Sequence, residues 1–406
     1  MTIQSDLRLR RVVLSLLTAF LVLPLVAAVS FAGSKNQAGS AEEAYFLLEE
    51  YGTRKDLFVI RLTDAALIQR AREIIIKPDP FGEIVPFGKL VKTAACYNPG
   101  WNYQLNVTRF VGATAEALDT TFRYAEDHLS ETLGINDMVD VGSLVIKELP
   151  KPDCTGNYAF HVSAASYKRS NLTREGLIAA FGSNMTARTE IAATLPLPTA
   201  LGGVTVTIKD SAGMSRLAQL LFVSPNQINY LMPLGVALGN ATITINDGQG
   251  RQTKAYEFIR QAGPALFSAN GNGRGVAAGS LLRVRSNGTQ VWESLFTYDA
   301  TKREYVPRTV GFERADEEYY LVLFGSGIRG RQVPLSEVVA SGAHPATVLY
   351  AGSQLQIAGL DQVNIRLPKE LAGQGLINLR LLFNDPEHYR ESNTVEVRLG
   401  GVRTSN

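Results

Sequence analysis

Ser224-Pro225-Asn226-Gln227-Ile228-Asn229-Tyr230-Leu231-Met232-Pro233 is echoed further along the chain by Gly359-Leu360-Asp361-Gln362-Val363-Asn364-Ile365-Arg366-Leu367-Pro368. Each copy carries Gln, an aliphatic residue and Asn, with Pro four residues after the Asn. A second pair of anchors lies upstream in the same order, Phe181-Gly182-Ser183-Asn184 and Phe324-Gly325-Ser326-Gly327. Two anchors repeated in one order point to duplication of a single structural unit.

The surroundings of both copies say what that unit is. Val204 to Ile208, Asn240 to Ile245, Tyr319 to Phe324 and Thr394 to Leu399 are short runs rich in Val, Ile, Thr and aromatics, separated by Gly, Pro, Asn and Asp. Strands at such spacing predict β-sandwiches of the immunoglobulin-like kind. We place the first at residues 154–261 and the second at 262–400. Before them, Leu57 to Leu62 reads as a strand, Ala65 to Ile76 as a helix opened by Thr63-Asp64, and Ala113 to Leu133 as a longer helix. Trp101 to Val111 alternates, with Trp101, Tyr103, Leu105 and Val107 on one face, and Ser143 to Ile146 closes with a strand. That order predicts a small α+β domain over residues 42–153. The expected fold class is therefore multidomain: an N-terminal α+β domain followed by two immunoglobulin-like all-β sandwiches.

The second part of the chain resembles an uncharacterised C-terminal module of secreted proteins from soil acidobacteria, the Solibacter type. The residues that carry the resemblance are Val162 to Tyr167, Phe181 to Asn184, Leu197 to Val206, Ser224 to Asn229, Gly263 to Phe267, Gly325 to Ile328 and Gln362 to Asn364. It covers residues of about 158–400, and implies tandem immunoglobulin-like folds outside the cytoplasm and no enzymatic activity. Phe312 to Glu318 departs from the module by its charge, which leaves the geometry before Tyr319 open.

The N-terminus gives an address. Arg8, Arg10 and Arg11 precede an uncharged apolar run from Val12 to Ala32 that ends among small residues. This is the layout of a signal peptide over 1–32, and its length also suits an uncleaved membrane anchor. Residues 33–41 are small and polar and read as a flexible stalk. Both readings put the remainder outside the cytoplasm, either secreted or at the cell envelope. The two cysteines, Cys96 and Cys154, are then candidates for a disulfide.

Composition narrows the functional classes. Net charge is +2, and 19% of residues are charged against 45% hydrophobic. No basic stripe suggests nucleic acid. The four histidines show no ligand spacing with the cysteines, so no metal site is expected, and no cofactor. No Gly-x-Ser-x-Gly elbow marks a nucleophile, and Gly271 to Gly275 lacks the Lys-Ser/Thr and helix start of a phosphate loop. The sequence points to no catalytic residue. Gln227, Asn229, Gln362 and Asn364 are expected to be structural, hydrogen-bonding backbone at a turn before each Pro. Trp101 with Tyr97, Asn98 and Tyr103 is the densest aromatic cluster, and an aromatic platform beside amides suits a sugar or peptide.

The expected function is a non-enzymatic binding or adhesion protein. The sandwiches would act as spacers or interaction modules, and the α+β domain as the recognition unit. Its partners would be a glycan, the cell wall or a protein outside the cytoplasm, with membrane contact only through an uncleaved N-terminal segment. Two alternatives stand beside it: an enzyme with its site near Trp101, Glu116 and Asp119, and a purely structural envelope protein.

Overall fold

The computed structural model describes residues 42–401, apart from 51–56, 78–83, 99–100, 113–118, 135, 153, 155–158, 170–171, 313, 315, 342–345 and 385–389. The leader and stalk readings at 1–41, and Glu116, lie outside the described residues. Among the described residues no helix is long and apolar enough to cross a membrane. The chain is mostly β-sheet, divided among several packed sheets.

The first unit runs β1 (Ala44–Glu50), β2 (Leu57–Leu62), α1 (Ala65–Ile76), β3 (Ile84–Val91), β4 (Gln104–Gly112), β5 (Asp119–Thr120), α2 (Phe122–Asp127), β6 (Met138–Val141) and β7 (Ser143–Leu149). Its strands form two sheets, β2-β1-β7 and β4-β3-β6-β5. Helix α1 starts where the sequence places it, because the Asp64 carboxylate accepts from the Leu67 amide at 3.0 Å. It buries Ile68, Ala71 and Ile74, one stripe at helical spacing. The second helix is much shorter than the expected 113–133. Asp119-Thr120 pairs with β6 as a parallel strand, and Thr121 then caps a helix of six residues.

The central strand β1 of the β2-β1-β7 sheet is buried on both faces. Ala44, Phe46, Leu48, Phe58, Ile60 and Leu62 turn into the core of the first unit. Tyr45, Leu47, Leu57 and Val59 turn the other way, into a second cluster that also contains Tyr256 and Phe258 of the next unit. Side chains alternate across a strand, so such two-sided burial demands consecutive apolar residues, here Ala44 to Leu48 and Leu57 to Ile60.

The next unit comprises β8 (Ala159–Ser163), β9 (Leu177–Gly182), β10 (Glu190–Ile191), β11 (Ala200–Leu201), β12 (Val204–Lys209), β13 (Ser215–Leu217), β14 (Gln219–Val223), β15 (Gln227–Leu231), β16 (Gly239–Asn246) and β17 (Gln252–Ile259). Sheets β10-β14-β15-β9-β8 and β11-β12-β16-β17 enclose its core. The last unit comprises β18 (Ala265–Leu266), β19 (Gly279–Val284), β20 (Gln290–Ser294), β21 (Phe296–Asp299), β22 (Glu304–Pro307), β23 (Thr309–Gly311), β24 (Glu318–Ser326), β25 (Val338–Ser341), β26 (Ala346–Ser353), β27 (Asp361–Arg366), β28 (Gly375–Phe383), β29 (Arg390–Glu391) and β30 (Val395–Gly400). Here the layers are not separate sheets. Hydrogen bonding is continuous from β20 to β23, because β25 pairs with both β26 and β28 and joins the two sides around one core.

The echoed motifs occupy equivalent places. Gln227 on β15 pairs with Phe181 on β9, and Gln362 on β27 pairs with Phe324 on β24. Each of these strands also faces a bulged neighbour, which sets Asn229 opposite Phe222 and Asn364 opposite Tyr350. Gln227 and Asn229 lie within a strand, as do Gln362 and Asn364, so they are not turn residues. At i and i+2 the two amides share a face and bond to each other, Gln Nε2 donating to Asn Oδ1 at 2.9 Å in the first copy and 2.8 Å in the second.

The charged segment before Tyr319 forms a buried ion network. Arg285 Nε donates to Glu317 at 3.2 Å and Arg283 Nη1 at 3.5 Å, while Arg283 also meets Glu293 at 2.7 Å. Glu317 is fully buried, and its carboxylate accepts from both guanidinium groups and from the Tyr319 hydroxyl at 3.1 Å.

The two β-rich units are packed together. Leu177, Phe267, Phe324 and Leu360 share one apolar cluster across the junction. Leu177 N donates to Ser326 Oγ at 2.9 Å, and Arg329 spans from Asp361 at 2.6 Å to Glu175 at 3.4 Å. Gly359 sits in this junction with φ +76, where a Cβ would lie 2.6 Å from Leu231 Cδ1 and 2.8 Å from Leu177 Cγ. Gly213 has a similar φ of +80 but open space around it. Gly359→Ala should therefore cost about 2–4 kcal/mol, and Gly213→Ala only the left-handed strain of about 1–2 kcal/mol. Urea midpoints of the two variants check the difference.

Candidate functional site

A cavity of about 510 Å³ opens where the first unit meets β17. Its volume lies within the roughly 300–1,000 Å³ usual for small-ligand sites. One wall is the outer face of the β2-β1-β7 sheet, Leu47, Leu57 and Val59. The opposite wall is β17, from which Gln252, Lys254 and Tyr256 alternate onto one face. The loop around Cys96 to Asn98 and the segment Leu149 to Pro152 close the sides. Cys96 is bonded to Cys154, with Cα atoms 5.5 Å apart, so the connection leaving β7 is tied back onto the loop that borders the cavity. A disulfide here points to a non-reducing compartment.

The expected aromatic platform divides in two. Trp101 and Tyr103 are core residues, 1% and 0% exposed. The alternation that puts Trp101, Tyr103, Leu105 and Val107 on one face aims that face inward, against Phe58 and Phe122. Trp101 Nε1 donates to Leu57 O at 3.2 Å and the Tyr103 hydroxyl to Phe122 O at 3.1 Å, so both polar tips are used internally. Neither offers a stacking surface to a ligand. Tyr97 and Asn98 do line the cavity.

Asn98 is buried, and its amide faces the outer edge of β2. It donates to Val59 O at 2.6 Å and accepts from Val59 N at 2.7 Å. One side chain thus takes the place of a neighbouring strand at that residue. Tyr97 is half-buried, its hydroxyl donating to Gln104 Oε1 at 2.8 Å, and burial pushes the phenol up to about 12.

Arg169, in the loop after β8, also lines the cavity, and no sequence signal singled it out. Its guanidinium meets the buried Glu257 carboxylate at 3.0 Å and lies 5.7 Å from the Trp101 ring centroid. Its ion pair with Glu257 lies within the first sandwich, and its cation–π contact with Trp101 reaches across to the first unit. Behind this pair, His161 is buried, with Nδ1 3.0 Å from the Tyr230 hydroxyl. Burial, and then the Arg169 charge, lowers the imidazole to about 3.

Of the two carboxylates of the enzymatic alternative, Asp119 lies on β5 opposite Asp140 and, like Glu126 and His128 nearby, outside the cavity lining. Glu126 accepts from the backbone amide of Asn102 at 2.9 Å and from its side-chain amide, which fixes the loop before β4. His128 stacks on Tyr124, with Nδ1 2.8 Å from Tyr124 O. Among the described residues no carboxylate lines the cavity, and no group of three or more His, Cys, Asp or Glu is arranged to hold a metal ion.

Residues 42–152 match the family of the BP-74 N-terminal domain, a span that covers the first unit and stops where the β-rich units begin. No curated protein matches the sequence.

The buried His161 makes stability depend on pH. The unfolded chain takes up a proton below about 6.5 and the folded chain only near 3, so the native state is favoured fully above 6.5 and loses ground as pH falls towards 3. Between pH 6.5 and 4.5 the loss should reach roughly 2–3 kcal/mol. In His161→Gln the stability difference between those two pH values should shrink by that amount, measured by urea unfolding at each pH.

Proposed function

We propose that the protein is a secreted or envelope-associated binding protein without catalytic activity, whose ligand site is the cavity between the N-terminal unit and the first β-sandwich. The observation that carries this reading is the cavity's construction. An apolar floor from β1 and β2 faces a few polar groups on β17, and two elements hold its walls, the Cys96–Cys154 bridge and the Arg169–Glu257 pair. The proposed partner is a glycan or cell-wall fragment outside the cytoplasm. An N-terminal export signal agrees with the disulfide, and cleavage of that signal is part of the proposal.

In this reading the first unit is an α+β recognition domain, and the β-rich units are immunoglobulin-like modules related to the acidobacterial C-terminal module. The equal register of Gln227 with Phe181 and of Gln362 with Phe324 supports duplication of one module. Their packed junction suits a rigid carrier that holds the recognition end away from its attachment.

A thermal-shift screen of the oxidised chain against glycans and cell-wall fragments tests the reading, since a ligand that binds only the native state raises Tm. A ligand should raise Tm by several degrees. Gln252→Trp, an exposed β17 position that would fill the cavity, should abolish the shift and leave the unliganded Tm unchanged. No shift with any ligand from a cooperatively melting protein would overturn it, as would a shift that Gln252→Trp leaves intact.

A further inference from the structure

Among the described residues, the charge on the cavity wall is all of one sign. Lys151, Arg169 and Lys254 line it, and no carboxylate does. Two of these cations are already matched by acids outside the lining, Lys151 by Glu43 and Arg169 by Glu257. Lys254 is different. It is exposed on β17, between Gln252 and Tyr256 on the same face, and among the described residues no acidic side chain pairs with it.

The remaining lining constrains what the cation is for. Tyr97 lines one side of the cavity and Tyr256 the β17 wall, where Gln252 sets an amide beside Lys254. Phenol rings above an aliphatic floor, with the Gln252 amide at the rim, suit the C–H face and hydroxyls of a sugar ring. A peptide adding as a strand to β2 would meet the Asn98 amide already seated on that edge at Val59.

We infer that the cavity takes an acidic saccharide, its carboxylate paired with Lys254 and its ring held between Tyr97 and Tyr256. This rests on the reading of the cavity as the ligand site and specifies its chemistry. The contact is an ion pair at a partly enclosed position, so it weakens with salt and depends on the sign of residue 254. Arg169 and Lys151 add positive potential without being consumed, because their partners hold them in place.

The test is calorimetric titration of the oxidised chain with a galacturonate trimer, the neutral galactose trimer and a short glutamate peptide, at low and at physiological salt. The uronate should bind at least roughly tenfold tighter than the neutral sugar, and salt should weaken it. Lys254→Ala should cost roughly tenfold in affinity and Lys254→Glu more, while Lys254→Arg should retain binding. Equal binding of the neutral and acidic trimers, unaffected at Lys254, would overturn the acidic specificity and leave the cavity as a glycan site. Tighter binding of the peptide would overturn the saccharide assignment. Binding of none of the three, when the wider screen yields a cavity ligand, would overturn the inference alone; a wider screen that also fails removes the site itself.

Discussion

A strand buried along its whole length has to be covered twice. All seven residues of β1 are buried, and β2 is nearly so. Phe46, Leu48, Phe58 and Ile60 are covered by the first unit's own helix and second sheet. Tyr45, Leu47, Leu57 and Val59 face outward into a second cluster, where Tyr97, Ile146 and Leu149 of the first unit cover them in part and Tyr256 and Phe258 on β17 complete the cover. Exposing those side chains would cost on the order of 1–3 kcal/mol each, more than a small unit has to spare. The first unit and the first sandwich are thus coupled by a shared apolar face, and the cavity lies at its border.

The polar contacts around the cavity fit that frame. Arg169 could not remain at the junction without Glu257, because a cation beside Trp101 and away from bulk water needs a partner. The Cys96–Cys154 bridge spans 58 residues and anchors the start of the connection to the sandwich. With Asn98 closing the edge of β2, these groups use their own hydrogen-bonding capacity on the frame. Lys254, Gln252 and the two tyrosines are the lining groups that the proposed ligand would meet. The same coupling recurs at the other end of the first sandwich, where Gly359 lets Leu177 and Leu231 approach and Arg329 reaches Glu175.

Much of the β-rich part was legible in the sequence because the repeat preserves polar residues inside strands. An amide pair at i and i+2 is costly to bury unless it bonds to itself, so its recurrence reports a recurring environment; what it could not convey is that the bond runs along the strand and not to a turn. Helix α1 was legible from its cap and its stripe. Strand β1 was not, since a strand buried on both faces loses the alternation that distinguishes a half-exposed one. The 113–133 helix was overextended because Thr120-Thr121 reads equally as helix interior and as strand end plus cap. The Trp101–Tyr103 platform failed for a related reason. Alternation gives a common face but not whether that face meets solvent or core. The cavity had no sequence signature at all, because its lining is gathered from separated stretches at 47–59, 96–98, 149–152, 169 and 250–256.

The shared apolar face is tested most directly by the two tryptophans, Trp101 and Trp292. In a Trp292→Phe background, the fluorescence of Trp101 reports unfolding of the first unit alone. Phe258→Asp then places a charge on the sandwich side of the shared face, with no change in the first unit's own sequence. Coupling predicts that the Trp101 transition falls by roughly 5 °C or more. An unchanged Trp101 transition, with the loss of stability confined to the sandwich, would contradict it.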